Sequence, residues 1–178
     1  MAQDIAALYR PHPATDTPNP YFKHLRFIPL EPYKQIETEG IKVTPIMSSH
    51  VGYGENEMGF NYEVVKNGKT FLYATDTGWY DQNTWDYFAE NNFKYDYVVI
   101  ENTYGFRELP NYQRGHLDNK NLLMMLEKMA ELGKIDENTP IYLTHIAHIA
   151  GSHEQLVKYF ADTKWNVTVG YDYFEISE

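Results

Sequence analysis

The chain of 178 residues contains no cysteine. That rules out disulfides and thiolate ligation, so any bound metal must be held by nitrogen and oxygen donors. Basic residues are scarce: 15 Lys and Arg stand against 25 Asp and Glu, a formal net charge of −10, and no Lys/Arg-rich block occurs. A non-specific grip on nucleic acid requires basic surface to displace counterions, and this balance argues against it. A small phosphodiester remains possible, because metal ions would supply local positive charge. No apolar run approaches a membrane span, and Ile5-Ala6-Ala7-Leu8, bounded by Asp4 and Arg10, does not resemble a signal peptide. No membrane association is expected, and a cytoplasmic location is the default. Internal repeats, linkers and low-complexity segments are also missing.

What is present points to one folded domain. Hydrophobic residues make up 43% of the chain and aromatics 16%, with sixteen tyrosines, which excludes a disordered chain. Four prolines in residues 11–20 predict a loop. Short strands are expected at Leu25–Leu30 and within Glu37–Met47. Asn61–Val65 and Thr70–Ala74 flank Asn67-Gly68, the signature of a tight hairpin. A helix at Thr84–Asn91 with Thr84 as N-cap should precede an apolar strand, Tyr95–Ile100. In Leu117–Leu132, Leu122, Met125, Leu126 and Met129 share one helical face, and Gly133 stops the helix. A strand at Ile141–Thr144, a helix at Ser152–Ala161 and a strand at Val167–Ile176 complete an α/β layered domain.

The residues able to do chemistry sit where apolar strands stop. Phe71-Leu72-Tyr73-Ala74-Thr75 runs into Asp76-Thr77-Gly78, and an ionised carboxylate at such a tip is costly unless something positive awaits it. His50 follows Val43–Met47, His145 follows Ile141–Thr144, and Gly115-His116 opens a helix. Imidazole and carboxylate together suit zinc, manganese or iron. Each has a plainer reading: Asp-Thr-Gly is also a turn sequence, and a lone histidine is usually a surface or loop residue. His148 would orient a ligand, face substrate or simply be exposed. Glu101 and Tyr104 would line a pocket, although a solvated strand-end acid is the plainer reading of Glu101. His12, His24 and His153 have no supporting context and read as surface residues.

His50, then Gly59-Phe60-Asn61-Tyr62-Glu63-Val64, then the Asp-Thr-Gly strand, Gly115-His116 and Leu143-Thr144-His145-Ile146-Ala147-His148 resemble, in order and spacing, the later motifs of the metallo-β-lactamase superfamily. The likeness is to the branch of ribonuclease Z and the cyclic-phosphate phosphodiesterases. It implies an αββα sandwich and a two-metal hydrolase holding zinc or manganese. It further implies Asp76 bridging both ions, His50 serving one and His145 the other. By the same resemblance, His116 would protonate the leaving oxygen. The superfamily's first motif, His-x-His-x-Asp-His, does not occur, and residues 1–12 resemble the short helix that follows it. The expectation is therefore a single domain over residues 1–178, the C-terminal portion of that fold and incomplete at its N-terminus. Such a chain would be inactive alone, and would self-associate or pair with the missing part. Two alternatives stand: an aspartic-protease-like dimer that pairs two Asp76 carboxylates, and a truncated domain that binds without turnover.

Overall fold

A computed structural model describes residues 29–51 and 58–176. Seven strands form one sheet in chain order: β1 (Ile36–Thr38), β2 (Ile41–Val51), β3 (Met58–Lys66), β4 (Lys69–Ala74), β5 (Tyr97–Glu101), β6 (Ile141–Thr144) and β7 (Val167–Val169). Strands β1 to β4 are antiparallel, and β4 to β7 are parallel. Three helices make the parallel crossovers: α1 (Gln82–Glu90), α2 (Asn119–Glu131) and α3 (His153–Ala161). Right-handed crossovers that step one way across a sheet leave their helices on one face.

Side-chain alternation agrees with that placement. Ala74, Ile100, Leu143 and Val169 lie in register across β4 to β7, as do Leu72, Val98 and Ile141 in the next row, and all are buried. They pack with Trp85 and Phe88 of α1, Leu122, Met125, Leu126 and Met129 of α2, and Leu156 and Phe160 of α3 in one core. The opposite phase carries Phe71, Tyr97 and Tyr142, with ring centroids 4.7 and 6.0 Å apart in succession. The α/β architecture is as expected; a second sheet is not among the described residues. Nor, among them, is any helix long and apolar enough to cross a membrane.

Local signals explain most boundaries. Asn67 and Gly68 both take positive φ (53° and 79°), the geometry a two-residue hairpin loop needs. Asp118 caps α2 by accepting from Asn121 N, and Ser152 with Gln155 forms a capping box on α3. Two expectations are corrected. Helix α1 begins at Gln82 with Asp81 in the cap position, so Thr84 lies inside it. There the Thr84 hydroxyl donates to Met47 O at 3.0 Å, tying α1 to β2. The last strand stops at Val169, because Gly170 crosses so close to β6 that a Cβ would lie 2.5 Å from Leu143 O. The chain then turns, with Phe174 N bonded to Tyr171 O at 3.0 Å. The four-proline loop, His12, His24 and most of Leu25–Leu30 lie outside the described residues, and Pro29 and Leu30 are not in a strand.

Candidate functional site

Strand β2 is antiparallel to β3, and β3 to β4, so β2 runs in the same direction as β4, β5 and β6. The carboxyl ends of all four therefore meet at one edge of the sheet, where ligands gather in open α/β sheets. His50 lies at the end of β2, Asp76 just past β4, Glu101 at the last position of β5 and His145 directly after β6. His116 comes from the loop before α2. That loop is clamped by Tyr104 N to Leu117 O at 2.9 Å and Asn119 N to Gly105 O at 2.9 Å.

Three imidazoles converge on one oxygen. From Asp76 Oδ1, His145 Nε2 lies at 3.3 Å, His50 Nε2 at 3.7 Å and His116 Nδ1 at 3.9 Å. The His50 and His116 rings meet edge to face with centroids 4.9 Å apart, and His116 stacks on His145 at 5.6 Å. Asp76 and His145 both adopt left-handed backbone, φ 54° and 53°. Aspartate tolerates that region with a local penalty, and histidine visits it more rarely. The structure thus places His50, Asp76, His116 and His145 side by side at this edge. His148 is exposed at the start of a short 3-10 turn (His148–Ala150), and Tyr104 packs its ring 5.8 Å from that of His116.

The turn carrying Asp76 is fixed by neighbours that the sequence did not flag. Ser48 Oγ donates to Asp76 O at 2.8 Å, and Ser49 Oγ accepts from Gly78 N at 2.9 Å. Asn61 Nδ2 donates to Thr75 O at 2.7 Å, and Asn61 in turn accepts from the hydroxyl of Tyr80, whose pKa is raised by complete burial. Gly78 packs against the loop of His116 so tightly that a Cβ would sit 2.3 Å from Gln113 O. Trp79 N donates to the same carbonyl at 2.7 Å. The close approach is what sets His116 beside Asp76.

Glu101 is not the solvated strand-end acid of the plain reading. It is 0% exposed. Its Oε1 accepts from Thr77 N at 2.7 Å and faces His116 Nδ1 at 3.0 Å, while Oε2 accepts from Leu117 N at 3.0 Å and Thr103 N at 3.3 Å. A carboxylate only accepts, so the His116 proton sits on Nδ1 and leaves Nε2 free to exchange one. A similar deduction fixes His145. Thr103 Oγ1 donates its single proton to His145 O at 2.9 Å, so at 2.8 Å it accepts from His145 Nδ1–H. His145 Nε2 thereby keeps a lone pair directed at Asp76, the orienting hydrogen bond that metal-ligating histidines share.

The donor set fits a divalent ion. Asp76, Glu101, His116 and His145 each offer a ligand atom within 4.8 Å of one another. Glu101 is already saturated by backbone donors and His116. Asp76, 56% exposed with its oxygen facing three imidazoles, is the open carboxylate.

No family model and no curated protein matches the chain. Solved structures do. The metallo-beta-lactamase fold protein YhfI from Bacillus subtilis aligns over 94% of this chain with a TM-score of 0.60 at 16% identity. Unliganded yeast PDE1 aligns over 80% with a TM-score of 0.56 at 15% identity. CmlA, a diiron beta-hydroxylase from Streptomyces venezuelae, aligns over 79% with a TM-score of 0.51 at 12% identity. The alignments span 58%, 47% and 32% of those three proteins, about half their length or less. At these identities it is the architecture that is shared, and the chain carries the metallo-β-lactamase fold.

Proposed function

We propose that the protein is a metal-dependent hydrolase of phosphodiesters, with His50, Asp76 and His145 as metal ligands and His116 as proton donor. The observation that carries this reading is the convergence of three imidazoles on Asp76 Oδ1, at 3.3 to 3.9 Å. The ions would be zinc or manganese, two of them, held by His50, Asp76 and His145. When bound, they supply Lewis-acid polarisation and activated water. His116 then gives its Nε2 proton to the departing oxygen, and Glu101 holds the imidazole in the tautomer and orientation for that transfer. Thr103 does the same for His145. Three protein ligands shared between two ions fall short of the three that each catalytic zinc keeps, so full occupancy draws on donors beyond this set. The aspartic-protease reading would pair two Asp76 carboxylates across a dimer and would give the three histidines no role.

The test is hydrolysis of bis(p-nitrophenyl) phosphate with excess manganese or zinc. The expected rate saturates with metal, falls with a chelator and is lost in Asp76→Ala together with bound metal. A rate indifferent to metal, or unchanged in Asp76→Ala, would overturn the proposal.

A further inference from the structure

Beside the centre, and sharing His145 with it, lies a cavity of about 480 Å³. It is lined by the end of β6 and by the turn after β7. Its walls are mainly rings and aliphatic side chains: Tyr142, Tyr171, Phe174, Val99, Leu156 and Val169. The Tyr142 and Phe174 rings lie 5.9 Å apart, tilted by 42°, and Tyr171 meets Phe174 edge-on at 5.4 Å. His153 accounts for the position of Tyr171: its ring abuts Tyr171 at 6.0 Å while its Nε2 is held by Val169 O at 3.1 Å. Tyr171 remains 64% exposed, an aromatic wall with a face to spare.

We propose that this cavity is a subsite for a planar heterocycle, such as a nucleobase, carried on the ester cleaved at the neighbouring centre. The proposal deepens the phosphodiesterase reading and rests on it for the ester alone. Size is the first argument, since small-molecule pockets occupy roughly 300–1,000 Å³ and the volume here accommodates a ring system and its sugar. Shape is the second, because rings standing at angles to one another present both a stacking face and an edge. Charge is the third. Among the described residues no lysine or arginine lines the cavity, and Asp172 stands at its rim. A second phosphate or a carboxylate would meet repulsion there, whereas a neutral ring bearing an exocyclic amine would find an acceptor.

Adenosine, which has the ring and no phosphate, separates the subsite from the chemistry. Binding to the intact protein would be followed by NMR titration, with ribose as the control that lacks the base. Adenosine should bind, and Phe174→Ala and the exposed Tyr171→Ala should each weaken it about ten- to hundred-fold, the usual effect of losing one stacking ring. Asp76→Ala should leave adenosine binding intact. Those results would support the subsite even if no phosphodiester were hydrolysed. No binding of adenosine, ribose binding as well as adenosine, or adenosine binding unaffected by both aromatic variants, would overturn it. In that event, metal-dependent hydrolysis of bis(p-nitrophenyl) phosphate would still leave the catalytic reading standing.

Discussion

Glu101→Ala is the substitution that tests most directly how the centre is held. The carboxylate ties the turn after β4, the loop after β5 and the start of the segment leading to α2, through the N–H groups of Thr77, Thr103 and Leu117. Hydrogen bonds to a charged group contribute about 1.5–3 kcal/mol each, so three such bonds sum to about 4.5–9 kcal/mol. Water entering the vacated space recovers part of this, and a net loss of about 3–5 kcal/mol is expected. For a chain of this size that lowers Tm by about 6–20 °C. Glu101→Gln separates shape from charge: its amide oxygen can still serve Thr77 and His116, but its NH2 then opposes the N–H groups of Leu117 and Thr103. It should lie between wild type and alanine. Thermal denaturation followed by circular dichroism measures both, and long-range nitrogen NMR of His116 reports whether Nδ1 still carries the proton. A Glu101→Ala protein that melts within about 1 °C of wild type, with the His116 tautomer unchanged, would refute the reasoning.

Other outcomes follow from the same geometry. His116→Ala should lower turnover by roughly two to four orders of magnitude while leaving bound metal, measured by elemental analysis, unchanged. Gly78→Ala forces a Cβ to 2.3 Å from Gln113 O, so it should destabilise by about 1–3 kcal/mol on denaturant unfolding, with loss of turnover as the His116 loop is displaced. Glu63, 6% exposed and facing Tyr95, Tyr87 and Lys134, has its pKa raised above the usual glutamate value by burial. The folded state therefore retains a proton that the unfolded chain has released, and stability from this group falls as pH rises from the unfolded pKa to the folded one. Glu63→Gln should remove that fall, so its Tm advantage over wild type should grow as pH rises above the ordinary glutamate range and level off once Glu63 is ionised in the folded state as well.

Most strands and helices were legible because apolar runs and turn residues agreed: Asn67-Gly68 made one hairpin possible, and Gly133 ended one helix. The histidines and Asp76 were legible because each interrupts an apolar strand at its end, which is where an open sheet collects its ligands. Glu101 has the same sequence context as a solvated acid. Only the backbone donors of two distant loops make its burial tolerable, and a linear pattern does not show those. Ser48 and Ser49 were invisible for a similar reason, since they serve backbone carbonyls and amides, and Thr103 reaches the carbonyl and ring of His145 only through the fold. In Tyr171-Asp172-Tyr173-Phe174 aromatic composition favoured a strand, but the contact at Gly170 turns the chain away.

The left-handed backbone at Asp76 has a consequence for how this protein can change. A side chain at φ 54° is held against its preference, and glycine there would relieve about 1 kcal/mol. Asp76→Gly should accordingly be more stable than Asp76→Ala, although both discard the same carboxylate. The position is thus a place where selection for durability and selection for chemistry pull apart. Random variants of this protein screened for heat resistance alone should drift toward glycine at 76, yielding a sturdier scaffold whose centre has been dismantled.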